Sequence, residues 1–300
     1  MNILQVENLS KSFGGKQIIK NISFNVEQGE IIGFVGPNGA GKTTTLKLIS
    51  NLIFPESGRI IIDGNDIMKN REKALEKIAV MIESPGLYRN LSGKGNLKII
   101  QRLRGKSKAL LDEIIEFIGL SDRIDVKVAK YSLGMKQRLA LGMCLLCEPR
   151  LLILDEPTNG LDPTGTMEFR ELITTLAKRE KISVLFSSHL LSEVEKISDR
   201  IMFIKDGQIV TIKSIKDIGD NTSYRIQVSD VLKSKAVLEN SEYINSISNT
   251  DTNIILVSIK NNKLSNVLNL LSTNDIDFWD IEKVGSSIES DYSDIYKGVN

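Results

Sequence analysis

Nine consecutive residues, GPNGAGKTT, have the types and spacing of a loop that binds phosphate groups. They lie between an apolar run, IIGFV, and a segment of helical periodicity, TTLKLISNL. Glycines allow the backbone to wrap phosphates, so that N–H groups point inward at a helix N-terminus whose dipole favours negative charge. We predict that Lys42 reaches β- and γ-phosphates and that Thr43 gives its hydroxyl to Mg²⁺. The predicted nucleotide contacts are Gly36, Pro37, Asn38, Gly39, Ala40, Gly41, Lys42, Thr43 and Thr44.

A second segment, LLILDEP, is an apolar strand that ends in two carboxylates. Doubly wound sheets place their chemistry at the carboxyl ends of such strands. Asp155 is predicted to hold Mg²⁺ directly or through water, and Glu156 to direct a carboxylate at the water that attacks the γ-phosphate, as general base or as its positioner. On the strand alone, a solvated acidic turn is the alternative.

Short β-rich runs alternate with helical patterns up to about residue 217, which predicts α/β layers. Continuous apolar runs, typical of strands buried on both faces, are IIGFVG, LLILD, ISVLFSSH and RIMFIKDG. Residues from about 86 to 148 read mostly as helix, in NLKIIQRLR, ALLDEIIEFIGL and KQRLALGMCLLC. We therefore predict a first domain over residues 1–217 with a helical subdomain at about 86–148.

The composition shifts toward Asn, Ser, Ile and Asp from Thr222, after a linker pattern, GDNT. The following segments alternate as strand, helix, strand, strand, helix and strand: SYRIQVS, VLKSKAVLENS, INSIS, NIILVSIK, KLSNVLNLLS and IDFWDIEKV. This βαββαβ order suits a small α+β domain of ferredoxin-like type over residues 222–300.

Charge and hydropathy limit the function classes. Lys and Arg total 39 against 38 for Asp and Glu, so the chain lacks the basic excess with which nucleic-acid binders displace counterions. No apolar stretch approaches the roughly 18 to 20 residues that cross a bilayer, and MNILQVENLS lacks the pattern of a signal peptide. We expect a cytoplasmic protein that binds no nucleic acid and acts on a membrane only through a separate chain.

The cysteines, Cys144 and Cys147, have a C-x-x-C spacing that a metal or redox pair would also show. A zinc site needs about four ligands, and no second pair accompanies them. Their setting, LALGMCLLCEP, is an apolar helical run, so we interpret them as core residues.

The order of further motifs is what distinguishes this chain among phosphate-loop proteins. YSLGMKQRL, at Tyr131 to Leu139, resembles the signature motif of ABC-type ATPases and stands just upstream of LLILDEP, as in that family. NGLDP, at 159–163, resembles the D-loop, and FSSHLLSEVE carries His189 where the family has its switch histidine. Phe13 matches the aromatic residue that stacks on adenine. The resemblance covers about residues 1–217 and implies a P-loop NTPase fold of the ABC type with a helical subdomain.

The resemblance implies an active site divided between two copies, with the phosphate loop of one facing the signature segment of the other. Ser132 would donate its hydroxyl and Gly134 its N–H to the γ-phosphate, at the positive end of the following helix. His189 would hydrogen-bond the same phosphate, and Asp162 would organise the junction between copies. A structural role for the histidine and a core position for Phe13 remain the alternatives.

Two departures from the family pattern carry information. In the signature, Leu133 and Met135 replace a glycine and a glutamine. At AVMIESPGLY, Glu83 stands where most members have a glutamine that touches Mg²⁺ and senses the membrane subunit, and a carboxylate is a harder ligand for that ion. Together with IESPGLYRNLSGKGNL, Glu83 is similar to the ATPase subunits of bacitracin and lantibiotic self-protection exporters.

The leading hypothesis is a Mg-ATP-hydrolysing homodimeric subunit that energises export of a peptide antibiotic through a separate membrane permease, and so lies at the inner face of the membrane. Residues from about 84 to 97 would meet the permease, with Tyr88 and Leu91 either exposed anchors or buried residues. The alternatives are an exporter of another substrate, an ABC-type ATPase without a transport role, and a regulatory module that holds nucleotide without turnover. The C-terminal domain is expected to support the dimer or to regulate it.

Overall fold

The computed structural model describes residues 1–83, 86–215, 221–239, 241–251, 253–260 and 263–286, together with residues 292, 295 and 296. The chain divides into two compact units, Met1–Ile212 and Lys213–Asn300. Of the linker pattern GDNT, residues 219 and 220 lie outside the described residues.

The first unit alternates strands and helices along the chain. Its strands are β1 (Asn2–Phe13), β2 (Lys16–Glu27), β3 (Ile31–Val35), β4 (Ser57–Ile62), β5 (Asn65–Asp66), β6 (Ile78–Met81), β7 (Leu151–Asp155), β8 (Ser183–Ser188), β9 (Arg200–Lys205) and β10 (Gln208–Ser214). Its helices are α1 (Lys42–Ile49), α2 (Arg71–Glu76), α3 (Gly93–Leu103), α4 (Lys108–Phe117), α5 (Leu133–Leu145), α6 (Pro163–Glu180) and α7 (Leu191–Glu195), with 3-10 turns at Ser121–Arg123 and Val128–Lys130.

A six-stranded sheet in the order β10-β9-β3-β8-β7-β6 forms the centre of this unit. Strands β9, β3, β8, β7 and β6 pair in parallel. Every residue of β3, β7 and β8 is buried, which explains why these strands are continuously apolar in sequence. Because they run in parallel, their carboxyl ends meet at one edge of the sheet, where the phosphate loop and the DEP segment both begin.

A second, antiparallel sheet in the order β2-β1-β4-β5 contributes to the same core. Helices α3, α4 and α5 lie between β6 and β7 and pack on one another, with Leu97 of α3 and Ile114 of α4 both close to Gly142 of α5. This is the predicted helical subdomain. The α/β architecture of the first unit is confirmed.

The second unit contains β11 (Asn221–Val228), α8 (Val231–Leu238), β12 (Ile244–Asp251), β13 (Ile254–Lys260), α9 (Leu264–Thr273) and β14 (Phe278–Ser286). Its strands form an antiparallel sheet in the order β12-β13-β11-β14, and residues of both helices pack with the buried strand positions. The predicted βαββαβ order and the α+β, ferredoxin-like class are confirmed. Within the part of the chain that the structure describes, no helix is both long enough and apolar enough to span a membrane.

Candidate functional site

The phosphate loop connects the end of β3 to the start of α1. Gly41 is the N-cap of α1 and has φ 109°, a left-handed conformation that favours glycine. A Cβ at this position would also lie 2.7 Å from Ile19 Cδ1. Gly41 therefore lets the chain turn into the helix so that the first amide groups of α1, which have no intrahelical acceptor, face the loop.

Lys42, the first residue of α1, is buried beneath the loop. Its Nζ donates a hydrogen bond to the Gly36 carbonyl at 2.7 Å and lies 3.4 Å from both the Pro37 carbonyl and Glu156 Oε1. The ammonium group thus stands between the loop and the carboxylate that follows β7. This position gives the loop a fixed positive charge close to its backbone.

Thr43 and Asp155 bring oxygen atoms together from α1 and β7. Thr43 Oγ1 lies 2.8 Å from Asp155 Oδ2 and 3.1 Å from Oδ1. Magnesium prefers oxygen ligands and is commonly held by one or two protein groups, with water and phosphate completing its shell. The residue types at this point fit the ion.

Ser187 holds the Asp155 carboxylate and the backbone of Glu156, and the sequence alone did not identify it. Its Oγ donates to Asp155 Oδ1 at 2.6 Å and accepts the Glu156 N–H at 3.0 Å. The parallel register of β7 and β8 pairs Asp155 with Ser187, which explains the contact. The available signal was the serine pair before His189 at the end of an apolar strand, read together with that register.

Glu156 and His189 follow the ends of β7 and β8. Glu156 has φ 47°, an uncommon conformation for a residue with a side chain and one that recurs at functional sites. Its Oε2 lies 2.7 Å from His189 Nδ1 and accepts the His189 backbone N–H at 3.4 Å. The two side chains are therefore held as a pair.

A cleft of about 640 Å³ opens over these groups, within the range typical of ligand pockets. Phe13 lines it and is 48% exposed, so it is not a core residue. Ile18 and Asn159, which the sequence did not indicate as ligand contacts, line it as well. The other lining residues are Pro37, Asn38, Gly39, Gly41, Lys42, Thr43, Thr44, Glu156 and His189. Gly36, Ala40 and Asp155 are not among the lining residues.

Glu83 is also absent from the lining of this cleft. Its carboxylate forms an ion pair with Lys47, with Oε1 2.7 Å from Nζ, and its side chain is 67% exposed. The hydrogen bond from Lys47 holds the pKa of the Glu83 carboxyl below its usual value. In this structure Glu83 therefore pairs with Lys47 of α1, one helical turn beyond Thr43.

The signature residues lie apart from the phosphate cleft of the same chain. Ser132 is the N-cap of α5 and accepts the Met135 N–H at 3.2 Å, and Asp162 is the N-cap of α6 and accepts the Gly165 N–H at 3.2 Å. Gly134 has open space on the side where a Cβ would stand, the nearest atom being Leu161 Cδ2 at 3.9 Å. None of the three lines the cleft.

Tyr88 and Leu91 are both exposed, which excludes the alternative that they are buried. Of the segment from 84 to 97, residues 84 and 85 lie outside the described residues. The Tyr88 N–H donates to Asn96 Oδ1 at 2.8 Å, so a buried side chain on α3 holds the backbone beneath the exposed ring.

Cys144 and Cys147 are free thiols and are only partly buried. Burial of the thiol, with a smaller contribution from Cys147, raises the pKa of Cys144 to about 12. The thiolate, which would be the metal ligand or nucleophile, is therefore disfavoured at Cys144.

Comparison with known proteins gives one consistent result. The ABC transporter family model matches residues 19–159. An uncharacterized ABC transporter ATP-binding protein, YhcH of Bacillus subtilis (strain 168), is 39% identical over 290 residues, 96% of this chain and 93% of the relative. The bacitracin transport ATP-binding protein BcrA of Bacillus licheniformis is 44% identical, covering 69% of this chain and 68% of the relative.

Two further matches agree with these. The lantibiotic transport ATP-binding protein SrtF of Streptococcus pyogenes is 42% identical, covering 70% of this chain and 90% of the relative. Among solved structures, an ATP-binding subunit of an ABC transporter aligns with a TM-score of 0.65 at 30% identity, covering 72% of this chain and 91% of that one.

Proposed function

The chain belongs to the ATP-binding proteins of ABC transporters, whose ATPase activity is coupled to transport, and from this membership we propose that it energises export of a peptide antibiotic through a separate membrane permease. The observation that carries the catalytic part of the proposal is the convergence of Lys42, Asp155, Glu156 and His189 at one sheet edge beneath a single cleft. The substrate class is supported by the bacitracin and lantibiotic transport relatives.

ATP binding uses the two ends of the cleft. Phe13, half-exposed at its rim, stacks on the adenine ring, and the phosphate chain lies along the loop from Gly36 to Thr44. Lys42 contributes a point charge to the β- and γ-phosphates. Thr43 and Asp155 would hold Mg²⁺, and Glu83, which pairs with Lys47 in this structure, would be a further candidate ligand. When bound, the ion neutralises charge on the β- and γ-phosphates.

Hydrolysis breaks the bond between the γ-phosphorus and the oxygen that bridges to the β-phosphate. Glu156 orients the attacking water and accepts its proton, since its carboxylate follows β7 directly and is fixed through the backbone by Ser187. His189 keeps the Glu156 carboxylate in place through Nδ1 and hydrogen-bonds the γ-phosphate. ADP, with the bridging oxygen, is the leaving group.

Two copies complete each other's sites in this proposal. Ser132 and Gly134 stand at the N-terminus of the 13-residue helix α5, where the helix dipole favours an anion, but they do not line the cleft of their own chain. A second copy facing the first brings them to its partner's γ-phosphate, and Asp162 lies in the connecting segment. ATP then joins the copies, and hydrolysis loosens them.

The permease is proposed to dock on the segment around Tyr88 and Leu91, whose side chains are exposed. An exposed aromatic ring on a backbone held by Asn96 is a suitable anchor for a partner. With the permease docked there, the chain would lie at the inner face of the membrane. The match with YhcH covers 96% of this chain and so includes most of the second unit. We propose that this unit supports the dimer or regulates it.

The test is a strain of the source organism in which the gene carries Lys42→Ala, compared with the unaltered strain on a panel of peptide antibiotics that includes bacitracin and lantibiotics. Loss of resistance to one member supports the proposal. Unchanged resistance to the whole panel, with intact ATPase activity of the purified unaltered protein, would favour an exporter of another substrate or an ATPase without a transport role.

A further inference from the structure

A mostly buried ion pair joins the two helices that follow the catalytic segments. Arg170, on α6, and Glu193, on α7, approach with Nη1 3.7 Å from Oε1, and their side chains are only 16% and 15% exposed. Helix α6 begins at Pro163, the last residue of the NGLDP segment, and α7 begins two residues after His189. The ion pair therefore links the helix that starts at the NGLDP segment to the helix that follows His189.

The pair is incompletely satisfied. Arg170 Nη1 and Glu193 Oε2 are buried and have no hydrogen-bond partner. Burying two charges costs more free energy than a loose contact at this distance returns, so the pair is a poor source of stability. A buried polar group without a partner in a native structure needs another explanation.

Helix α7 needs external contacts to hold its orientation. It has five residues, and a helix of that length is unstable in isolation. Its apolar residues Leu191 and Val194 are buried, and Val194 packs over Gly33 of β3 so closely that a Cβ there would lie 1.9 Å from Val194 Cγ1. These apolar contacts fix how closely α7 approaches the sheet. They do not fix its rotation or its position along the sheet.

We propose that Arg170 is a positioning residue for His189, acting through Glu193 on the orientation of α7. His189 stands on the turn between β8 and α7, so a shift or rotation of α7 moves the imidazole relative to Glu156. Arg170 supplies the directional contact that the apolar face of α7 lacks, because an ion pair fixes α7 relative to the axis of α6. The inference rests on the role of His189 in the proposed function.

The test uses the fact that His189 is the chain's single histidine, so its imidazole gives one unambiguous set of NMR signals. In the full-length protein, Glu193→Gln removes the charge of the partner with little change of shape. We expect the His189 imidazole resonances to shift and kcat for ATP to fall about 10-fold to 100-fold with KM little changed, as for misplacement of a catalytic group.

A matched control exists on the same helix. Glu168 of α6 pairs with Arg138 of α5, with Oε2 3.6 Å from Nη1, and this second pair leads away from α7. Glu168→Gln should leave the imidazole resonances unchanged. If Glu193→Gln does not fold, Arg170→Lys is tested instead. This variant keeps the positive charge but loses the planar guanidinium, and it should shift the His189 imidazole resonances less, in the same direction.

The outcomes separate the inference from the proposed function. A folded Glu193→Gln or Arg170→Lys protein with unshifted imidazole resonances overturns the positioning role, even if its melting temperature or activity falls. Shifted resonances with unchanged kcat support the positioning role and count against the part of the proposed function that gives His189 a role in turnover. Restoration of the resonances in the exchanged pair Arg170→Glu with Glu193→Arg would support the ion pair as the cause.

Discussion

His189 Nδ1 lies 2.7 Å from Glu156 Oε2, although 33 residues separate them in the chain. The contact arises because β7 and β8 are parallel neighbours, so the residues after their carboxyl ends lie side by side. Glu156 Oε1 is meanwhile 3.4 Å from Lys42 Nζ. The carboxylate is thus held from two sides by groups that each have a place in the proposed chemistry.

Glu156→Gln keeps the size of the side chain but removes its ability to accept a proton. We expect kcat for ATP hydrolysis to fall about 10²- to 10⁴-fold, with ATP affinity retained. Because ATP then persists between the copies, the variant should form an ATP-dependent dimer on size exclusion. Glu180→Gln, at the exposed end of α6, is the control and should behave as the unaltered protein. A Glu156→Gln protein that binds ATP and stays monomeric would contradict the divided site.

Ser187→Ala removes the hydroxyl that donates to Asp155 and accepts from the Glu156 amide. Asp155 keeps its contact with Thr43 and the Glu156 amide keeps the Ser187 backbone carbonyl, so we expect the lost hydrogen bonds to lower the free energy of unfolding by about 1 kcal/mol. The loss of orientation is expected to lower kcat about tenfold. Ser50→Ala, which removes a buried hydroxyl bonded to the Leu46 carbonyl at the far end of α1, should cost similar stability without changing kcat. Equal kcat in both variants would show that Ser187 does not orient the catalytic groups.

Gly33→Ala places a methyl group 1.9 Å from Val194 Cγ1 and 2.8 Å from Ser198 Oγ. Overpacking of this kind is expected to lower the free energy of unfolding by about 1 to 3 kcal/mol in chemical denaturation. Val194→Ala in the same chain should recover part of the loss because it removes the clashing atom. Gly86→Ala, where a Cβ meets nothing within 4 Å, should be nearly neutral. A neutral Gly33→Ala would show that α7 does not pack on β3 this closely.

Cys144 makes the stability depend on alkaline pH. Its thiol pKa rises from 9.0 to about 12 on folding, so the unfolded chain releases the proton first as the pH increases. The contribution to stability is fully present below pH 9.0 and is lost as the pH rises toward 12. Between about pH 8 and about pH 10, unaltered protein should lose about 1 kcal/mol more of its free energy of unfolding than Cys144→Ala.

Cys147→Ala is the control for this measurement because it keeps the Cys144 thiol. Its free energy of unfolding should follow the unaltered protein over the same pH interval. Identical pH profiles for Cys144→Ala and the unaltered protein would show that folding does not raise the pKa of the Cys144 thiol.

Much of the site could be predicted because its components are short and local. The phosphate loop requires glycine at defined positions, a lysine at the start of a helix and a hydroxyl next to it, and these fall within nine residues. The carboxylates likewise follow a recognisable strand. The exposure of Phe13, Tyr88 and Leu91 could not be predicted in this way, because each depends on what packs around it. The partnership of Glu83 with Lys47 depends on how β6 and α1 approach each other.

The class of fold, the order of the motifs and the residue types proposed to bind phosphate could all be read from the amino-acid sequence, since backbone conformation and strand burial leave periodic patterns over a few residues. The contacts between distant residues became visible in the folded chain: Ser187 supports Asp155, Glu156 lies between Lys42 and His189, and Arg170 meets Glu193. The physical reason is that such contacts are set by sheet register and helix packing between segments far apart in the chain, and no local pattern encodes either.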